Sequence, residues 1–496
     1  MRDPDAAAPP ANDLRRACML LAILLLSGCE SRSVTQARTA LADCRLPRLV
    51  TAAKCAIIEL PARADAPTAH VGVTVLPANT LSPKPDPLFM IAGGPGQLAS
   101  ALLPLTTQLG GVRRTRDIVL VDPRGSGRSE ALSCAALKSR DAFDGLSEDD
   151  ISRTVVQACL DELRSRGVDL GQFTTEVLVG DLDAVRAALG YERINLWGGS
   201  YGTRVVQQYV RRHEDRVRSI VLDGVAVPGM RVPLDIWVTR DEALRSTLAA
   251  CANDAACRAS YPDPVSMLPR LRSALAKPRR IDVEDPRTGV ARPVSVTYDL
   301  VLSSAEALLY VPELSSLVPT LLARAEAGDF APLLAATTSL GEELSETFSL
   351  PLHYAVICAE DAPRVRPDEV AAVTARLLAP DLAARNIEAC SGWPAAKLAA
   401  DFTQPLNSNV PALILSGGLD PVTPPANGAT VAKTLPNSTH VIAAAYGHIV
   451  SPHACAPRLI ATFLEDAAGA RLDAACIDYF AHGKRPPLYS SVLEAR

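Results

Sequence analysis

Ile194-Asn195-Leu196-Trp197-Gly198-Gly199-Ser200-Tyr201-Gly202 runs from an apolar stretch straight into a serine flanked by glycines. A small-x-Ser-x-small turn between a strand and a helix drives the serine into a strained backbone conformation. The glycines two residues to either side leave room for the turn and for helix–strand packing behind it. The hydroxyl is then raised clear of the sheet, within reach of a base and of substrate. The flanks agree with this reading. Residues 203–210 place Val206, Tyr209 and Val210 on one helical face, and residues 181–190 read as a helix closed by Gly190. Residues 218–224 form another short apolar run, so helix, strand, serine turn, helix and strand follow in order, the pattern of a parallel sheet wrapped by helices.

A serine hydroxyl is a poor nucleophile at neutral pH and needs a base, itself oriented by a carboxylate. When the serine comes first in the chain, the acid and then the histidine should follow. Residues 410–418 read as a buried strand ending in Gly417-Gly418, with Asp420 on the loop beyond it. Residues 439–448 read as a strand delivering His448 at its end. Ser200, Asp420 and His448 are therefore the expected triad. His453 is the rival base, and His440 sits at the wrong end of its strand. Asp420 has the alternative role of capping the helix after Pro424-Pro425.

Attack on a carbonyl also requires donors for the developing oxyanion. Residues 88–91 lead into Ala92-Gly93-Gly94-Pro95-Gly96, where backbone amides can face a substrate unobstructed. The Gly94 and Tyr201 amides are the expected pair. A phosphate-binding loop is the other reading of these glycines, but no Gly-Lys-Ser/Thr follows. Residues 118–121 form a strand before Asp122-Pro123-Arg124-Gly125-Ser126-Gly127-Arg128-Ser129, in which Asp122 and Arg124 are expected to brace loops.

Together these segments resemble the α/β-hydrolase superfamily, and more narrowly its prolyl aminopeptidase and tripeptidyl aminopeptidase group of serine exopeptidases. The region around the Asp420 and His448 loops is similar to the tripeptidyl-type C-terminal region. The resemblance implies an α/β-hydrolase fold: a mostly parallel sheet flanked by helices, with a helical cap inserted after the sixth strand. It further implies a peptide substrate, held by its free N-terminus through acidic cap residues. Glu360, in Cys358-Ala359-Glu360-Asp361, is the nearest match for that amine anchor, the alternative being a solvated surface acid. The prolyl enzymes carry histidine before the Gly-Gly-Pro-Gly run. Ala92 stands there in this chain, which puts strict proline specificity in doubt.

Arg15-Arg16, the short apolar run 17–26 and Leu26-Ser27-Gly28-Cys29 describe a secretory signal too short to span a bilayer. Cysteine after Leu-Ser-Gly resembles a bacterial lipobox. That implies cleavage before Cys29, lipidation of its thiol and, with Glu30 following, sorting to the outer membrane. An ordinary secreted protein is the alternative. Of the twelve cysteines Cys18 would leave with the signal and Cys29 would be lipidated, and the remaining ten suit disulfides in an oxidising compartment. Nearness along the chain favours Cys44–Cys55, Cys134–Cys159, Cys251–Cys257, Cys358–Cys390 and Cys455–Cys476, with connectivity left open. No C-x-x-C pair or histidine cluster suggests zinc, and no cofactor is expected.

The 496 residues, 48% hydrophobic, suffice for one large catalytic unit with an insert. A net charge of −5 and 4% aromatic residues offer no surface suited to nucleic acid. Residues 240–251, 267–276 and 305–327 carry apolar residues at helical spacing. The expected organisation is a signal peptide (1–28), an N-terminal segment (29–60), the first part of the core (61–228), the helical cap (229–405) and the C-terminal part of the core (406–496). The function expected is N-terminal exopeptidase chemistry through an acyl-enzyme. Its rivals are a carboxylesterase and, less favoured, a non-catalytic surface lipoprotein.

Overall fold

Uninterrupted apolar runs build the centre of a nine-stranded sheet, and alternating runs build its edges. The computed structural model describes residues 41–138, 153–285, 288–467 and 472–477, so the expected signal peptide and Cys29 lie outside the described residues. In chain order the strands are β1 (Ala42–Cys44), β2 (Ala53–Leu60), β3 (Ala69–Leu76), β4 (Leu88–Ile91), β5 (Ile118–Val121), β6 (Ile194–Gly199), β7 (Val217–Asp223), β8 (Arg279–Glu284), β9 (Ala291–Val296), β10 (Ala412–Gly417) and β11 (Ser438–Ala443). The large sheet has the order β1-β2-β3-β5-β4-β6-β7-β10-β11. From β5 to β11 neighbouring strands run parallel, while β1, β2 and β3 pair antiparallel at one side.

Strands β4, β5, β6 and β10 are buried at every residue, as parallel strands covered on both faces must be. Alternate residues divide between two cores. Phe89, Val119, Leu196, Ile220 and Ile414 face one layer of helices, among them Thr175–Ala188 and Tyr201–His213. Met90, Leu120, Trp197, Val221 and Leu413 face the other, which includes Ala456–Glu465. At the far edge β11 alternates between buried and open positions, leaving Ile442 45% exposed.

Between β7 and β10 lies the insert. It follows the seventh strand in the chain because β1 adds a short edge strand before the others; without β1 it follows the sixth. Its helices enclose a separate core around Leu244, Leu271, Val301, Leu322 and Leu333. Two expectations need correcting here. The insert is not wholly helical, because β8 and β9 form an antiparallel hairpin whose outward residues are charged and carry no helical pattern. The single helix read over 305–327 is three pieces, Tyr298–Leu308, Pro312–Ser315 and Val318–Glu326, since Pro312 and Pro319 cannot donate within a continuing helix and restart it instead. The last part of the insert returns to the sheet: Leu352, Ile357, Ala389 and Trp393 belong to the main core. Likewise β1 and β2 extend the sheet into the N-terminal segment.

Among the described residues five disulfides join Cys44–Cys55, Cys134–Cys159, Cys251–Cys257, Cys358–Cys390 and Cys455–Cys476. Among the described residues no helix is long and apolar enough to cross a membrane.

Candidate active site

Ser200 stands between the end of β6 and the helix Tyr201–His213, at φ 55° and ψ −125°. A non-glycine residue there is strained by about 1–3 kcal/mol, tolerated where the surroundings over-determine it. They do so here. Ser200 N donates to Asp223 O at 2.9 Å, and Gly202 is pressed against the Ile91 carbonyl where any side chain would collide. A β-carbon on Gly198 would lie 2.5 Å from Gly202 O. The two glycines of the motif are thus required by close backbone approach, while strain falls on the serine between them.

The turn after β4 lies directly against the serine: a β-carbon on Gly93 would be 2.9 Å from Ser200 Cβ. Gln97 closes this turn, its Oε1 accepting from Gly93 N at 3.0 Å, and Gly94 takes φ +107°. Tyr201 is the first residue of its helix, so its N–H has no carbonyl to meet within the helix. Gly94 and Tyr201, the expected oxyanion donors, thus lie on the two turns that meet at Ser200. The insert straps the Gly94 turn from outside. Leu98 N donates to Thr347 O at 2.8 Å and Ser349 N to Gly96 O at 2.8 Å. His353 bonds Pro95 O through Nδ1 at 2.9 Å; because a carbonyl only accepts, Nδ1 must carry the proton. Burial holds the His353 pKa below its ordinary value, which keeps this donor neutral.

Asp420 and His448 meet at the ends of β10 and β11. Their Oδ2–Nδ1 separation is 2.9 Å, and both residues are largely withdrawn from solvent. Asp420 Oδ1 also accepts from the amides of Val422 and Thr423, both at 2.8 Å, while its Oδ2 accepts from Thr423 Oγ1 at 2.7 Å. Burial works against the charged carboxylate, but the charge and hydrogen bond of His448 and the Thr423 donors outweigh it and hold Asp420 below its ordinary pKa. Burial likewise works against imidazolium, yet Asp420 foremost and then Asp223 outweigh burial and the opposing charge of Arg240, raising His448 above its ordinary pKa. The ring lies over Gly224, whose missing side chain would stand 3.1 Å from His448 Cε1. Gly224 directly follows the residue that accepts from Ser200 N, so serine, imidazole and carboxylate gather at one rim of the sheet.

The rival histidines are otherwise engaged. His453 stacks on Tyr446 with ring centres 4.9 Å apart, and His440 bonds Ser416 Oγ at 2.9 Å within the sheet. Arg124 is a brace: its Nε and Nη2 each reach an Asp181 oxygen at 2.8 Å. Asp122 accepts from Arg128 N at 3.1 Å, holding its own turn.

Glu360 requires a correction. It is neither a solvated acid nor a side chain open to substrate, being wholly buried with Oε1 on Thr175 N at 2.5 Å and Oε2 on Thr175 Oγ1 at 2.7 Å. Thr175 Oγ1 in turn lies 2.7 Å from Tyr201 Oη, so this carboxylate supports the residue beside the nucleophile from behind. Burial, above all, pushes its pKa up to about 7. Sequence reasoning also passed over Thr423, Gln97 and Tyr310. The break before Pro312 places Tyr310 on the histidine loop, with its carbonyl accepting from His448 N at 3.2 Å and its ring edge-on to the imidazole at 5.6 Å. Arg240 Nη2 reaches Tyr310 Oη at 3.2 Å, and its guanidinium lies over the Trp237 and Tyr310 rings. None of these positions falls within a recognisable motif.

Comparison with known proteins bears on the fold and the family. Residues 86–299 match the family model of the alpha/beta hydrolase fold, and residues 376–476 match that of TAP-like proteins. The chain is similar to serine protease Hip1 of Mycobacterium tuberculosis, 28% identical over 431 residues that cover 78% of this chain and 80% of the relative. It is also similar to tripeptidyl aminopeptidase of Streptomyces lividans, 30% identical over 164 residues covering 30% of each chain. A probable proline iminopeptidase of Streptomyces coelicolor is 30% identical over 150 residues, covering 29% of this chain and 34% of the relative.

Proposed function

We propose that this chain, which belongs to the α/β-hydrolase superfamily and ends in a TAP-like region, is a serine peptidase that releases residues or short peptides from free N-termini. The observation that carries the reading is the buried Asp420–His448 pair beside the strained Ser200 turn. Ser200 Oγ attacks the peptide carbonyl carbon while His448 Nε2 takes its proton. The Gly94 and Tyr201 amides donate to the oxyanion. The C–N bond then breaks as His448 passes that proton to the departing amine, leaving an acyl-serine. Water attacks the ester, its proton going to His448 and then to Ser200 Oγ as the acid is released. No metal or cofactor enters the sequence.

Free-amine peptide p-nitroanilides, compared with their N-acetylated counterparts and with p-nitrophenyl esters, test the substrate class. A site that holds a substrate ammonium should prefer the free amine by at least about 10²-fold in kcat/KM. Equal rates on blocked peptides would point to an endopeptidase. Turnover of the esters alone would point to a carboxylesterase.

The proposal includes export and attachment to the outer membrane through lipidated Cys29. The five disulfides support an oxidising compartment. Cys29→Ala is expected to move the protein from the membrane fraction to the soluble one. An unchanged distribution on fractionation would remove the anchor from the reading.

A further inference from the structure

We infer that Asp223 is the positioning residue that locks the loop carrying His448 to the strand end carrying Ser200. This deepens the proposed function and rests on its reading of Ser200 and His448 as nucleophile and base.

Asp223 is the last residue of β7 and wholly buried. It lies opposite Gly199 of β6 on one side and Leu415 of β10 on the other, so it sits between the strands that deliver the serine and the acid. Its backbone oxygen accepts from Ser200 N at 2.9 Å. Its side chain turns to the histidine loop, with Oδ1 accepting from Val450 N at 2.9 Å and Oδ2 from Ser451 N at 2.7 Å. One residue therefore holds the nucleophile through its carbonyl and the base through its carboxylate. The loop needs such a hold. Ile449, between His448 and the two clamped amides, is β-branched yet takes φ 69°, a conformation that such a side chain avoids. Ser451, two residues on, is tied a second time, Trp197 Nε1 of β6 donating to its Oγ at 2.9 Å. Two adjacent amides presented together call for two acceptor oxygens. An amide side chain would offer one oxygen and turn its NH2 against the second N–H.

Asp420 and Asp223 have separate tasks: the first orients the ring through Nδ1, the second fixes the backbone from which the ring projects. Asp223 also acts through charge. The groups facing His448 are Asp420 and Thr423 from the loop after β10, Asp223 from β7, and Arg240 and Tyr310 from the insert. The two carboxylates favour imidazolium and Arg240 opposes it. Burial pushes the Asp223 carboxyl above its ordinary pKa, opposed by the Val450 and Ser451 donors and by His448; with the carboxylate charged, its loss should lower the His448 pKa.

Asp223→Asn in the full mature chain is the test, assayed beside Ser200→Ala. We expect kcat to fall by about 10²-fold, the cost of a misplaced catalytic group, with KM changed by less than about threefold. The acid limb of the kcat/KM profile should move to lower pH, a shift that mere destabilisation would not produce. Ile449→Gly, which accepts φ 69° without strain, should restore much of the lost kcat in the Asp223→Asn background while leaving the limb shifted. Wild-type kcat, or a reduced kcat with an unmoved acid limb, overturns the inference. So does failure of both the single and the double variant to fold, which would make Asp223 a folding residue. Full activity in Ser200→Ala would instead overturn the reading of the triad itself.

Discussion

Ser200→Ala is expected to lower kcat by about 10⁶-fold while leaving the fold intact. The size of the effect follows from the loss of the only atom that forms the covalent bond. What remains is acceleration by the oxyanion amides and by substrate positioning, about 10³–10⁴ over the uncatalysed reaction. Stability should barely move, within about 0.5 kcal/mol, because alanine keeps the β-carbon and inherits the same backbone at φ 55°. Ser200→Gly should be equally inactive yet somewhat more stable, since glycine relieves a strain that alanine retains. Peptide turnover and labelling by a fluorophosphonate probe check the first effect, and urea midpoints check the second. An alanine variant that still labels, or still turns over within tenfold of the parent, would place the nucleophile elsewhere.

The part of this architecture that could be read from residues alone is the part governed by local rules. Apolar runs at 118–121, 194–197 and 410–415 are short, dense and bounded by turn residues, and each is a buried strand of the sheet. The pairing of Asp420 with His448 was legible because each follows a strand and the two strands are neighbours in the sheet. Neighbouring cysteines along the chain also proved to be neighbours in space. The hidden part depends on what distant segments do to one another. The acidic residues Glu360 and Asp361 look the same on paper as surface acids. Burial of one on Thr175 and of the other on Arg204 at 2.9 Å arises only when the insert's helix Leu350–Glu360 returns to the core. Tyr310 reads as one apolar residue in a helical run until Pro312 breaks that run. Asp223 reads as a strand terminus, since nothing local reveals that its side chain meets amides more than two hundred residues later.

Asp420→Asn should reduce kcat by about 10⁴-fold, and the arrangement of donors around the carboxylate gives the reason. Oδ1 accepts two backbone N–H groups, from Val422 and Thr423, that the turn cannot withdraw. An asparagine must keep its single carbonyl oxygen on that side, because its NH2 would otherwise face two donors. The NH2 then points at Thr423 Oγ1 and His448 Nδ1, the partners of Oδ2 in the parent. An imidazole facing a donor at Nδ1 takes the tautomer protonated at Nε2, which cannot receive the Ser200 proton. The Thr423 hydroxyl, freed from donating to a carboxylate, can turn its own proton toward Nδ1 and reinforce the wrong tautomer. The pH dependence gives a second, independent reading. In the parent, activity requires neutral His448, whose pKa lies above its ordinary value, so kcat/KM should rise with pH through a midpoint above about 6.5. Loss of the carboxylate removes the principal stabiliser of imidazolium. The residual activity of Asp420→Asn should therefore titrate at lower pH than the parent, with stopped assays across pH 5 to 9 measuring both midpoints. A variant within tenfold of the parent, or one whose midpoint stays put, would show that Asp420 caps its turn and that the base takes its orientation from another group.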